Sequence, residues 1–178
     1  MKRSRAFGFG LLCFALGTLA SGSEQKGGSA FTADIFTDKD PKVAATAMLD
    51  QALKLAEDGS WERIAVGRAW YLGGEKAKGQ QLFDGVTSSR KVEGSDWFRI
   101  GRVYAEAGEW ENAEAAFDRA LSMDAGDDSG MIEYGALANV HNDRAKAEAL
   151  FKKALTKRSK EFWHWVGAGG SYLGVRPQ

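Results

Sequence analysis

The chain has 178 residues, the length of one domain able to bury its own core. Hydrophobic residues make up 44% and charged residues 27%, which is ordinary for a soluble protein. Basic and acidic side chains number 24 each, so the chain as a whole has no electrostatic attraction to nucleic acid.

The chain opens with Lys2, Arg3 and Arg5, followed by an apolar run over residues 6–20, AFGFGLLCFALGTLA, and then small residues. A positive head, a short apolar core and a small-residue exit make a secretory signal peptide over 1–22, with cleavage after Ala20 or Gly22. The run is too short to span a bilayer comfortably, and a retained membrane anchor is the rival reading. A lipid anchor at Cys13 is disfavoured, because Leu12 stands where such signals carry a small residue. Cleavage removes three basic residues and no acidic one, leaving a mildly acidic mature chain with no membrane insertion. It also removes Cys13, the only cysteine, and with it any thiol, disulfide or cysteine metal ligand. The expected location is outside the cytoplasm, most simply a bacterial periplasm, with secretion or a membrane tether as alternatives. Residues 23–39 are polar and glycine-containing, with Phe31, Ile35 and Phe36 as their apolar content, and read as a flexible arm.

The first helix is predicted over 41–57. Asp40 can cap it, and Pro41 suits a first helical position, where a missing N–H costs nothing. A two-helix unit follows over 60–93. Its second helix carries an interior glycine, Gly79, and Val86 where later units have alanine, so it is expected to be the softer part of the chain. In 94–127, Trp97, Ile100, Gly101 and Tyr104 share one helical face, Gly108 breaks the helix, and Ala113, Phe117, Ala120 and Leu121 share the face of the next. The unit over 128–161 repeats this plan with Asn142 at the break, the non-glycine residue best able to take positive φ, and with Asp143 as the following cap. A last helix is predicted over 162–175. Trp165, Ala168 and Tyr172 are expected to pack inward, leaving Phe162, Trp163, Val166 and Leu173 as an exposed apolar surface.

These units share one period. Adding 34 to Gly101, Ala113, Phe117, Ala120 and Leu121 gives Gly135, Ala147, Phe151, Ala154 and Leu155. Going back by 34, Gly101, Gly108, Phe117 and Asp118 become Gly67, Gly74, Phe83 and Asp84. Ala45, Leu49, Ala52 and Leu53 match Ala113, Phe117, Ala120 and Leu121 at twice the offset, so the first helix is a second helix without its partner. A helix-turn-helix period of about 34 residues resembles the tetratricopeptide repeat. The resemblance implies an all-α, right-handed superhelical solenoid over 40–178, made of a capping helix, three repeats and a C-terminal helix.

No catalytic, metal or cofactor constellation stands out. His141 and His164 lie in different repeats, without a cysteine or carboxylate at ligand or triad spacing. Asp124, Asp127 and Asp128 do not follow the alternating ligand pattern of a calcium loop, and helix capping explains them. Gly73 and Gly74, and the glycines at 167–170, lack the lysine and the preceding strand of a phosphate loop.

The resemblance also implies that first helices line a concave groove. Carried over by position, its walls include Trp61, Ile64, Arg68, Tyr71 and Leu72, then Ser95, Phe98, Arg99, Arg102 and Glu106. Ile132, Glu133, Ala136 and Asn139 follow, and Trp163, Val166 and Leu173 close the series. Arg68 and Arg102, flanked by Tyr71 and Phe98, suit a carboxylate or an acidic extended peptide. The expected function is a non-catalytic adaptor that binds a protein or peptide through the groove, the C-terminal helix or both. The alternatives are a self-associating envelope subunit, such as a homodimer, and, more remotely, a cell-wall enzyme using Glu106 and Glu133.

Overall fold

The computed structural model describes residues 32–177. The leader with Cys13, the part of the arm that carries Phe31, and Gln178 lie outside the described residues. After a one-turn 3-10 helix, Ala33–Ile35, the described residues form α-helices and no strand. The helices are α1 (Pro41–Ala56), α2 (Ser60–Leu72), α3 (Lys76–Thr87), α4 (Gly94–Glu106), α5 (Trp110–Met123), α6 (Asp128–Val140), α7 (Arg144–Lys157) and α8 (Phe162–Ser171). The fold is an all-α helical repeat solenoid in which α2–α3, α4–α5 and α6–α7 are the paired units.

The starts follow from local hydrogen bonding. Asp40 accepts from the N–H groups of Lys42 and Val43, Asp127 from Gly130, and Asp143 from Lys146. Each removes an N–H left without a helical partner. At α4, Asp96 accepts from the N–H of Glu93 in a capping box, which is why this carboxylate tolerates burial.

The three turns inside the units share one geometry. Gly74, Gly108 and Asn142 have φ of 95°, 77° and 72°. The next residue then closes the helix with a backbone bond, Glu75 to Trp70, Glu109 to Tyr104 and Asp143 to Ala138, at 2.8 to 2.9 Å.

The core rests on a glycine facing a phenylalanine. A β-carbon on Gly67, Gly101 or Gly135 would stand 2.6 to 2.7 Å from the ring of Phe83, Phe117 or Phe151. Each ring therefore lies directly on the backbone of its partner helix. Tyr104, Tyr134 and Tyr172 from the following unit pack on the same three rings, at centroid distances of 6.0, 4.9 and 6.3 Å. Gly79, expected to mark softness, lies directly against the backbone of its partner helix. A β-carbon there would meet the carbonyl of Gly67 at 2.6 Å and Cβ of Tyr71 at 2.7 Å.

The C-terminal end departs from expectation twice. The last helix ends at Ser171 rather than at 175, because Gly174 takes φ of 76° and the N–H of Val175 turns back to Gly170. Trp165 and Tyr172 are about half exposed instead of packed inward. Their counterparts in α6, Met131 and Ala138, are buried under α7, but no described helix follows α8 to cover it.

Candidate functional site

In the layer of first helices α2, α4, α6 and α8, α2 packs on α4 and α6 on α8. By contrast, α4 meets α6 through side chains, Arg102 with Glu133 and the Phe98 ring with Gly130. Most of the expected groove residues brace this layer from within. Arg68 donates Nε and Nη2 to the two oxygens of Glu106, at 2.7 and 3.0 Å. Arg102 makes the same two-pronged contact with Glu133. Both guanidinium groups are held in their charged form, first by these hydrogen bonds. The fork geometry is the one expected to receive a ligand's carboxylate, but the protein's own glutamates occupy it. The same contacts engage both carboxylates of the remote enzyme alternative.

Tyr71 is not a groove aromatic, while Phe98 lines a small cleft of about 150 Å³ between α4 and α6 with Ser95, Arg99, Arg102 and Glu133. Both are buried, Tyr71 against Phe83 and Tyr104 and Phe98 against Phe117. The Tyr71 hydroxyl donates to Glu109 at 2.6 Å, and Glu109 also accepts from Lys76 and Asn112. The Lys76 contact and then the Tyr71 contact hold the Glu109 carboxyl below its ordinary range. Burial, reinforced by Glu109, pushes the Tyr71 hydroxyl well up. Asn139 donates to the Ser171 hydroxyl at 3.0 Å and ties α6 to α8.

Arg99 is different. Its guanidinium lies flat over the exposed ring of Trp61, 3.5 Å from the centroid, joining α2 to α4 without a carboxylate.

A concavity lies at the C-terminal end of this layer. Ser129, Ile132 and Glu133 of α6 face Trp163, Val166, Gly167 and Gly170 of α8 across a cleft of about 480 Å³, and Val175 to Pro177 line it too. Trp163 is 70% exposed, and Phe162 packs edge-on against it at 5.2 Å. Of the four residues expected to form the apolar surface, Trp163 and Val166 share this cleft. Phe162 borders it through Trp163, and Leu173 lies beyond the helix end at 84% exposure.

One cluster was not legible in the sequence. His164 is buried, with Nε2 3.3 Å from the Ser129 hydroxyl and 3.9 Å from Asp128. Asp128 is itself paired with Arg158 at 2.8 Å. A serine, a histidine and an aspartate have met, but not as a triad. Both partners address the same imidazole nitrogen, whereas a relay needs the carboxylate on one nitrogen and the hydroxyl on the other. The signal was the 34-residue register, which brings the start of α8 alongside the start of α6.

Residues 95–127 match a family model described as tetratricopeptide repeat. They cover α4 from its second residue, α5 and the connection up to Asp127, one of the units in which the glycine-phenylalanine contact and the positive-φ turn occur together. Comparisons with curated proteins and with solved structures gave no match.

Proposed function

We propose that this chain, whose residues 95–127 match a tetratricopeptide repeat, is a non-catalytic adaptor binding an extended peptide of a partner protein in the cleft between α6 and α8. The repeat is a protein-protein interaction module, and the open question is which part of it receives the partner. The cleft carries the reading. Trp163 and Val166 are exposed apolar groups in a concavity large enough for one or two peptide side chains. Ser129 at its edge supplies a hydroxyl oxygen to meet a peptide's N–H group, while Glu133 stays engaged by Arg102. Ion pairing of Arg68 and Arg102 argues against an acidic peptide held along the middle of the layer.

The test is a displayed library of extended peptides, with hits measured by calorimetry on the wild type and on Trp163→Ser. Loss of a large indole in the cleft should weaken binding at least tenfold, about 1.4 kcal/mol. The melting temperature should not change, because the ring is exposed. Hits that bind both proteins equally would remove the cleft from consideration.

We further propose that the protein works outside the cytoplasm, on the strength of the basic head and apolar run of 1–22. The mass of the chain recovered from a periplasmic fraction should correspond to a start at Ser21 or Ser23. An intact chain starting at Met1 would refute this.

A further inference from the structure

The two ends of the array carry complementary halves of one repeat. α8 is a first helix. Gly169 stands one period after Gly135, at the position where Gly67, Gly101 and Gly135 each hold a phenylalanine ring against the backbone. At Gly169 no described atom lies within 4 Å of where a β-carbon would be. Trp165 and Tyr172 flank that vacancy on the same helical face and are about half exposed.

α1 is a second helix. Ala45, Leu49 and Ala52 align with Ala113, Phe117 and Ala120, all three essentially inaccessible in α5. In α1 the same positions are open, with Ala45 exposed and Leu49 and Ala52 half-buried. Met48 is 49% exposed where its counterpart Ala116 is buried. α1 packs on α2 alone among the described helices, as a second helix does against the unit that follows it.

We propose that copies of this chain join head to tail, with α1 of one copy acting as the second helix for α8 of the next. Leu49 then enters the space over Gly169, between Trp165 and Tyr172, as Phe117 does over Gly101. The junction continues the interface already present in each repeat, so it needs no new geometry. Such a contact is heterologous and does not close on itself, so it extends the solenoid copy by copy. It uses a different face of α8 from the peptide cleft and does not depend on that reading.

The test is sedimentation velocity on the full chain across a wide concentration range, with Gly169→Leu, Ala45→Glu and their equimolar mixture. Both substituted positions are open in the single copy, so melting temperatures should be unchanged or slightly raised. The wild type should grow in mass with concentration without a plateau, and each variant alone should sediment as one chain. The mixture should stop at two chains, because Gly169→Leu keeps a competent α1 and Ala45→Glu a competent α8. A wild type that stays a single chain at every concentration would overturn the proposal. So would association of either variant on its own, as a symmetric α8 contact or the apolar N-terminal run would give. A mixture that stays monomeric while the wild type associates would overturn it equally.

Discussion

The ring of Phe117 occupies the space a side chain on Gly101 would need, with its Cε1 2.6 Å from a β-carbon built there. That contact makes a general expectation fail at a specific place. Glycine inside a helix costs up to ~1 kcal/mol against alanine, so Gly→Ala normally stabilises. At Gly101 and Gly135 it should instead destabilise by about 1–3 kcal/mol, because the ring has to move out of a filled core. Gly169→Ala, with open space around it, should stabilise by up to ~1 kcal/mol. Urea unfolding of the three variants checks this. Equal effects at Gly101 and Gly169 would mean that the ring contact is not the constraint.

Gly79 sharpens the same point. Its obstacle is the carbonyl of Gly67 and Cβ of Tyr71, neither of which can rotate aside as a ring can. Gly79→Ala should therefore cost more than Gly101→Ala, about 3 kcal/mol or above. Gly85, in the same helix but with open space at its β-carbon, is the internal control. Gly85→Ala should stabilise by up to ~1 kcal/mol. If both substitutions in α3 stabilise, the helix is soft, as its composition suggests, and the close approach does not limit it.

Much of the fold was legible because its causes are local and periodic. Gly101, Phe117 and their counterparts at the 34-residue offset mark the packing, and Asp40, Asp127 and Asp143 mark the starts. Asn142 could be read as the equivalent of Gly74 and Gly108 because one backbone requirement, a positive φ, selects from a short set of residues. The groove was less legible because facing a layer and being free are different properties. The repeat register placed Arg68 and Arg102 on the first helices, but the side-chain reach that joins them to Glu106 and Glu133 follows no fixed offset. The Tyr71 ring turns into the core, and Phe98 packs on Phe117 while still lining the small cleft between α4 and α6. Gly79 shows a related limit, since a glycine that relieves crowding and one that loosens a helix have the same letter.

The Arg102–Glu133 pair should behave as a structural brace. Arg102 is only partly exposed, and Glu133 keeps 16% of its side-chain surface in water. The pair is thus less screened than an ordinary surface contact. Arg102→Ala should cost about 1 kcal/mol, near the upper end for such pairs. Arg68→Ala, in the more exposed pair with Glu106, should cost less and lose most of its effect at high salt. Denaturant curves at low and high ionic strength, with Glu133→Gln completing a double-mutant cycle, measure both. A coupling near zero between Arg102 and Glu133 would return the guanidinium to the list of groups free for a ligand.

Alkaline pH should unfold this protein through its tyrosines. Burial pushes the Tyr134 hydroxyl up to about 12. Tyr71 and Tyr104 are also raised, in both cases first by burial. Lys146 is raised as well, mainly by its hydrogen bond to Glu114. In every case the folded state holds its proton more tightly than the unfolded chain does. Stability from these groups is therefore complete below the ordinary tyrosine value of about 10, and it falls as pH rises from there through the folded values. The melting temperature should drop steeply above pH of about 10, and tyrosinate absorbance from Tyr71, Tyr104 and Tyr134 should appear together with loss of helix rather than before it. Tyr134→Phe should make that drop shallower, because it removes one raised group, although the loss of its bonds to Lys146 and Glu114 lowers stability at neutral pH. Smooth titration of Tyr71, Tyr104 and Tyr134 near their ordinary value, with the helices intact, would show that these rings are open to water.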